Sequence, residues 1–502
     1  MASAGKPVND IAATVEGKPQ RRNSVPAVTV LAIDQGTSAT KALVVAADGQ
    51  VLSMAEAPIG VRAGADSAVE LDPDELWASV IAAGTEAMAV AGNPRLRAIG
   101  LANQGETVMA WDRSTGASVG QAIVWQDRRS EVVCERLREH SAFLSEHTGL
   151  ELDPYFVAPK IVWLREQIGD GPTITTTDTW MLHRMCGAFA TDVATAGRSL
   201  LLELDSGRWS AEACEIFGVD LTTLPTVVGN AESLGECQLF GGSVPVSGTC
   251  VDQQAALYAE YCRDAGEAKC TYGTGAFMLA CAGEKARRSS NGLVGCPAWR
   301  IGDDLTYCLD GQVYTVGGAV TWLIEMGVMS EPADLDRLGS TVDGPGGVTF
   351  VAALAGLAAP YWKPQAKAAF TGLTLGTERG HLVRAAVEGI AAQVALLAHA
   401  AEQDLGSALT CLRVDGGLTR SRLLLQTQAD LLQAPVEVYP SPHATALGVA
   451  AFADLGASPG SQAQAAPQAW RPDVVVEPRI AADEAAERLA GWRRVAAATM
   501  DL

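Results

Sequence analysis

Two short stretches of this chain could hold a phosphate chain between them. The first is 27-AVTVLAID-34, an apolar run that ends in an acid, followed by the turn Gln35-Gly36-Thr37-Ser38 and a second apolar run, 39-ATKALVVAADGQVL-52. The second, 268-AKCTYGTGAFMLACAG-283, repeats the plan: apolar strand, Gly-Thr turn, apolar strand. One Gly-Thr turn is only a turn. Two such hairpins facing each other across a cleft would offer hydroxyls and backbone N–H groups to phosphate oxygens from both sides. A third stretch, 411-CLRVDGGLTRSRLLLQTQADLLQ-433, reads as strand, acid, double glycine and amphipathic helix. That order lets a ligand approach the backbone at a positive helix end, which suits a nucleotide. A fourth, 99-IGLANQGETVMAWD-112, reads as a buried strand interrupted by the polar knot Asn103-Gln104-Gly105-Glu106-Thr107. Four hydrogen-bonding side chains inside a packed strand are costly unless they find partners, so they point to a binding site.

The elements that must position these residues follow from turn and capping signals. Asp48-Gly49 closes a further tight turn after the first hairpin, and 72-DPDELWASVIAAGTEAMAVA-91 opens with an acidic first turn before apolar residues at helical spacing. The segment 444-ATALGVAAFADLG-456 is a helix of small residues that must pack closely on a neighbour. Residues 457–470 read as a surface loop and 481–500 as a closing helix. The internal echo of the hairpins predicts two domains of related architecture, as the length of 502 residues also requires. Neither G-x-x-x-x-G-K-[ST] nor G-x-G-x-x-G occurs, so the main sequence support for a P-loop ATPase and for a dinucleotide-binding Rossmann enzyme is missing.

Composition narrows the class. With 58 acidic against 37 basic side chains the net charge is −21, which opposes nucleic acid and anionic membranes as partners while leaving room for a small, locally held anion such as a nucleotide. The 11 cysteines include no C-x-x-C pair, which argues against a zinc site or a disulfide framework and predicts a reducing cytoplasm. The first 26 residues contain no continuous apolar segment and are expected to form a flexible tail.

The blocks 34-DQGTSATK-41, 123-IVWQDRR-129, 252-DQQAAL-257, 272-YGTGAFML-279, 360-PYWKP-364 and 413-RVDGGLTRSRLLLQ-426 together resemble the FGGY carbohydrate kinases, and within that family the glycerol kinases. The resemblance runs in order from about Val28 to the end. It implies an α/β fold of two actin-like ATPase (ribonuclease H-like) domains with a catalytic cleft between them. Residues 27–253 would carry polyol and phosphate, and 254–502 the nucleotide. It also implies transfer of the γ-phosphoryl group of ATP, with Mg2+, to a terminal hydroxyl of a small polyol, and a homo-oligomer, dimer or tetramer.

Phosphoryl transfer is catalysed by positioning and charge neutralisation, and the residues suit that task. Asp34 is a suitable Mg2+ partner, with Asp252 as a second carboxylate. Thr37, Ser38 and Lys41 can donate to phosphate oxygens from one side and Thr274 from the other. The resemblance places Gly317, Thr321, Gly417 and Ser421 around adenine and ribose. It makes Asp252 the general base for the substrate hydroxyl, against the bland alternative of a helix N-cap. The same resemblance assigns Glu106, Gly105, Trp125, Tyr155, Gln253 and Phe277 to the substrate pocket, although aromatic residues such as Trp125 and Phe277 more often serve plain core packing. Glycerol kinases read N-Q-R-E-T where this chain has Asn103-Gln104-Gly105-Glu106-Thr107, so Gly105 stands in place of an arginine. Loss of one charged hydrogen bond costs about 1.5–3 kcal/mol. Glycerol is the expected substrate, and a longer polyol or sugar filling vacated space is the alternative. A ketose kinase is disfavoured by the Asn-Gln-Gly-Glu block. A non-catalytic actin-like ATP binder would have no use for Asp252 beside an aromatic and carboxylate pocket.

Overall fold

The computed structural model describes residues 29–458 and 470–500. The expected N-terminal tail, 1–26, and most of the expected loop 457–470 lie outside them. Two large mixed sheets carry the chain. The first has six strands in the order Gly235–Cys237, Val244–Val251, Leu96–Asn103, Thr29–Gln35, Ala39–Ala46 and Val51–Pro58. The second has seven, in the order Val294–Ile301, Asp304–Val313, Ala276–Gly283, Ala268–Tyr272, Leu412–Asp415, Val436–Val438 and Val474–Val476.

The echo between hairpins is an echo of topology. Thr29–Gln35 pairs antiparallel with Ala39–Ala46, placing Asp34 opposite Lys41, and parallel with Leu96–Asn103. Ala268–Tyr272 pairs antiparallel with Ala276–Gly283 and parallel with Leu412–Asp415 in the same arrangement. These central strands are buried on both faces, which explains their near-continuous apolar runs.

The polar knot is not inside a strand. The chain leaves the six-stranded sheet at Asn103, turns through Gln104–Thr107 and enters a separate five-stranded sheet at Val108–Trp111. Glu106 makes the break, with a left-handed backbone at φ +58° that no strand accommodates. The apolar residues on either side belong to two different strands, which alternation alone cannot distinguish from one.

The helix Pro73–Val90 forms where its signals lie: the Asp72 side chain accepts from the N–H groups of Asp74 and Glu75, and Pro73 occupies the first turn. It covers one face of the first sheet. The other face is covered by Ala444–Gly456, a helix from late in the chain, so the two halves are interlocked. A Cβ at Gly448 would collide with the backbone of Ala255 in the helix Asp252–Ala259, so glycine is needed for the close approach expected of this segment. The long helix Arg379–Leu405 is apolar and long enough to cross a membrane by composition, but 78% of its apolar window is buried within the core of the second half.

Candidate active site

Two adjoining cavities gather the residues singled out from the sequence. The first, of about 370 Å³, is lined by Thr37, Ser38, Gly105, Glu106, Trp125, Tyr155, Asp252, Gln253, Thr274 and Phe277. The second, of about 780 Å³, is lined by Thr274, Gly317, Thr321, Gly417 and Ser421. Thr274 lines both, so the turn of the second hairpin stands at their junction. Asp34 and Lys41 line neither cavity and face each other across the first hairpin.

One wall of the first cavity is aromatic. Trp125 meets Tyr155 and Phe277 edge-on, each with ring centroids 5.9 Å apart, and its indole N–H donates to Thr37 Oγ1 at 2.9 Å. That bond ties the wall to the turn of the first hairpin and leaves the threonine hydroxyl hydrogen free to donate elsewhere. The knot forms another wall. Gln104 is held to Gln35 by both main chain and side chain, while Thr195 donates to Asn103 Oδ1 at 3.4 Å. Glu106 accepts from Arg198 Nε at 2.6 Å. The knot is therefore part wiring and part pocket, and the left-handed Glu106 is strain of the kind that persists where a site over-determines it.

Asp252 is not a helix cap. It is the first residue of Asp252–Ala259, Val251 holds the cap position, and among the described residues the Asp252 carboxylate accepts only from the adjacent Gln253 N–H at 2.7 Å. Burial first, then the charges of Asp34 and Glu106, push its pKa up to about 7, against the pull of Lys269 and the Gln253 N–H. Burial raises Asp34 to about 6, with Lys41 opposing and Asp415 and Glu56 adding to the rise. Asp415 is raised as well, chiefly by burial, and its Oδ1 has no partner among the described residues. Gln253 is fixed by Lys269, whose buried ammonium donates to Gln253 Oε1 at 2.5 Å and to Thr271 at 2.9 Å.

The second cavity combines glycine main chain at Gly273, Gly317, Gly318 and Gly417 with side chains such as Thr321, Glu331 and Asp336. Gly416 adopts φ +94° against the Tyr272 carbonyl, where only glycine fits, and the space beside Gly417 is open. The N–H groups of Val316, Gly317 and Gly318 bond to carbonyls of the Gly273-Thr274 turn, joining that turn to the start of the helix Gly317–Glu325. Ser421 lies on the wall, but its hydroxyl donates to Asp336 at 2.5 Å and accepts from the Leu424 N–H as a helix cap. Its first task is structural.

These features repeat in known proteins. The model of the FGGY family of carbohydrate kinases matches its N-terminal domain over residues 29–259 and its C-terminal domain over 268–457. The chain belongs to this family. Among curated FGGY relatives, a glycerol kinase from Thermus brockianus is 39% identical over 481 residues, 93% of this chain and 97% of that protein. A glycerol kinase from Alkalilimnicola ehrlichii is 38% identical with the same coverage. Among solved structures, a Plasmodium falciparum glycerol kinase with ADP superposes with a TM-score of 0.87 at 29% identity, covering 94% of this chain and 98% of that one. A xylulose kinase from Rhodospirillum rubrum shares the fold, with a TM-score of 0.82 at 22% identity over 94% of this chain and 98% of that one. The FGGY assignment fixes the fold as two actin-like α/β halves and the enzyme as a phosphotransferase with an alcohol acceptor.

Several cavity residues carried no sequence signal. Arg198 and Asp310 line the first cavity, and Asp336 the second. Arg198 stands in 193-VATAGRSL-200 among small and mostly apolar residues, and Asp310 follows Leu309 in the mixed strand Asp304–Val313. For Arg198, a charged residue inside a mostly apolar segment was the available clue.

Proposed function

We propose that this protein is an ATP-dependent kinase that phosphorylates a terminal hydroxyl of a small polyol, with glycerol as substrate. The observation that carries this reading is Asp252: a half-buried carboxylate with little hydrogen bonding among the described residues, on the wall of a cavity lined by aromatic rings and Glu106 and opening onto Thr37, Ser38 and Thr274. Trp125, Tyr155 and Phe277 pack against the C–H face of the polyol, and Glu106 accepts from its hydroxyls. Asp252 accepts the proton of the attacking hydroxyl as the bond to the γ-phosphorus forms and the bond to the β,γ-bridging oxygen breaks. Thr37, Ser38, Lys41 and the Thr274 turn hold phosphate oxygens in line, while Gly317, Thr321 and Gly417 leave room for the nucleoside. Gln253, fixed by Lys269, orients the start of the catalytic helix. Residues 27–253 and 254–502 then act as the two halves of one site, the second half lending Thr274 and Phe277 to the polyol cavity.

The donor set suits Mg2+. Asp34 and Asp252 would be oxygen ligands; their pKa values are raised first by burial and then by neighbouring carboxylates, a negative charge that a divalent cation would relieve. No group of three or more His, Cys, Asp or Glu side chains poised for a metal exists among the described residues. That fits an ion held by one or two carboxylates, water and substrate phosphates. Bound there, Mg2+ would neutralise charge on the transferred phosphoryl group.

A longer polyol is a second reading, favoured by Gly105 alone. Both are tested by coupled ADP release with Mg-ATP against glycerol, erythritol, threitol, xylitol, ribitol, dihydroxyacetone, xylulose and a blank. Glycerol is expected to give the highest kcat/KM. A tenfold preference for a four- or five-carbon substrate would establish the second reading, and no substrate-dependent release would overturn both.

A further inference from the structure

Two charged residues on the wall of the first cavity, Arg198 and Asp310, have no part in the proposed phosphoryl transfer. Arg198 donates from Nε to Glu106 Oε1 at 2.6 Å, and its Nη1 lies 2.8 Å from Asp310 Oδ2. The three side chains are 3%, 5% and 7% exposed, and all three residues line the cavity. Among the described residues lining it, Arg198 is the only arginine or lysine.

Charges this deeply buried are tolerated only when paired and hydrogen-bonded, yet the pairing here is incomplete. Among the described residues, Asp310 Oδ1 is buried with no partner and no bond uses Arg198 Nη2. One donor and one acceptor are thus left over on neighbouring groups that face the pocket. A hydroxyl is the small group that accepts one hydrogen bond and donates another from a single atom.

Gly105 fits the same picture. A Cβ there would sit 2.8 Å from Val251 Cγ2 and 4.0 Å from Arg198 Cγ, so the space above the glycine is bounded by the stem of Arg198. A cation does serve this pocket, from another strand connection.

We propose that Arg198 and Asp310 form the subsite for a substrate hydroxyl other than the one phosphorylated, with Arg198 Nη2 donating to it and the Asp310 carboxylate accepting from it. The inference rests on the polyol-kinase reading. It makes the pair the specificity determinant of the cavity and gives Arg198 the task that residue 105 cannot perform.

The test uses the intact enzyme, glycerol, and the two analogues that each lack one hydroxyl, 1,2-propanediol and 1,3-propanediol. Wild type is expected to reject at least one analogue by 100-fold or more in kcat/KM, because a buried donor and acceptor would be left unpaired. Arg198→Lys and Asp310→Asn are each expected to raise KM for glycerol tenfold or more, with kcat within threefold and KM for ATP unchanged. Each should also shrink the discrimination against that analogue at least tenfold. A merely structural pair would lower all three substrates together, and that result overturns the proposal. So does wild-type turnover that accepts both analogues as well as glycerol, which needs no variant to fold. If no polyol supports ADP release by wild type, the kinase reading itself fails; turnover without discrimination sinks only the subsite.

Discussion

The two cavities meet at Thr274 and are built in opposite ways. The smaller is walled by side chains held by other side chains: Trp125 by Thr37, Glu106 by Arg198, Gln253 by Lys269. The larger has glycine main chain at Gly273, Gly317, Gly318 and Gly417 on its wall, and one of its hydroxyls, Ser421, is already engaged in a helix cap. A small polyol offers only hydroxyls at fixed spacing, so its pocket needs acceptors and donors at fixed points. A phosphate chain and a nucleoside can be held by N–H groups and shape. The contrast implies that isosteric side-chain changes should damage the first cavity and backbone changes the second.

The largest effect is expected at the head of the first cavity. Asp252→Asn keeps the shape and removes the base, and kcat should fall by about 10²–10⁴-fold with KM for ATP unchanged. A near-normal rate in a steady-state assay would remove Asp252 from the chemistry. Next comes the junction. A Cβ at Gly317 would lie 2.5 Å from the Gly273 carbonyl oxygen, so Gly317→Ala must push the Thr274 turn that serves both cavities. Displacements of about 1 Å can cost up to about 10²-fold, and here both the ATP and the polyol constants should worsen. If only the ATP constant moves, the cavities are less tightly joined than their shared residue suggests.

The pH profile separates the carboxylates from their surroundings. Asp252 is raised by burial and by Asp34 and Glu106 to about 7, and the base works only when ionised. For the free enzyme, kcat/KM should therefore fall by about tenfold per pH unit below about pH 7. Stability runs the other way. A carboxyl whose folded pKa exceeds its unfolded value favours the fold below the unfolded value near 3.8, and that contribution is lost as pH rises through about 7. The melting temperature of the ligand-free enzyme should then drop between pH 5 and pH 8, and Asp252→Asn should flatten the drop. A wild-type rate profile flat to pH 5.5 would break the assignment.

A smaller effect is expected where the chain departs from the glycerol-kinase pattern. Gly105→Arg would restore the arginine, but its Cβ meets Val251, the residue before Asp252, and the cavity already holds Arg198. Overpacking of this kind costs about 1–3 kcal/mol, so the variant should be less stable and gain no affinity for glycerol. A tenfold lower KM for glycerol would show that position 105 had been the missing contact.

The opposite construction of the cavities also explains what the sequence revealed. The second is legible because glycine pairs and hairpin turns leave local signatures, as at Gly416-Gly417 and Thr274. The helix Pro73–Val90 was legible for the same reason, through Asp72 and Pro73. The first was legible only in parts that match family blocks, such as Trp125 and Asp252. Arg198 joins Glu106 across 92 residues of chain, and its partner Asp310 comes from the other large sheet. No local spacing encodes that meeting. The polar knot misled for a related reason, since the apolar residues flanking it belong to strands of two different sheets.

The smallest effect tests the backbone character of the second cavity. The helix Arg422–Leu432 begins with three N–H groups facing side-chain acceptors. Asp336 accepts from Arg422 and Leu423 at 3.0 and 3.1 Å, and Ser421 Oγ accepts from Leu424 at 3.1 Å. Ser421→Ala removes one of these three bonds together with the hydroxyl's own bond to Asp336, and leaves the two N–H bonds to Asp336 in place, so it should cost about 1–3 kcal/mol. Because the hydroxyl is directed at Asp336 rather than into the cavity, KM for ATP should stay within twofold of wild type. A melting curve and an ATP titration on the same preparation read both quantities. A tenfold rise in KM for ATP without loss of stability would instead make Ser421 a nucleotide contact, and the second cavity would then depend on side chains as the first does.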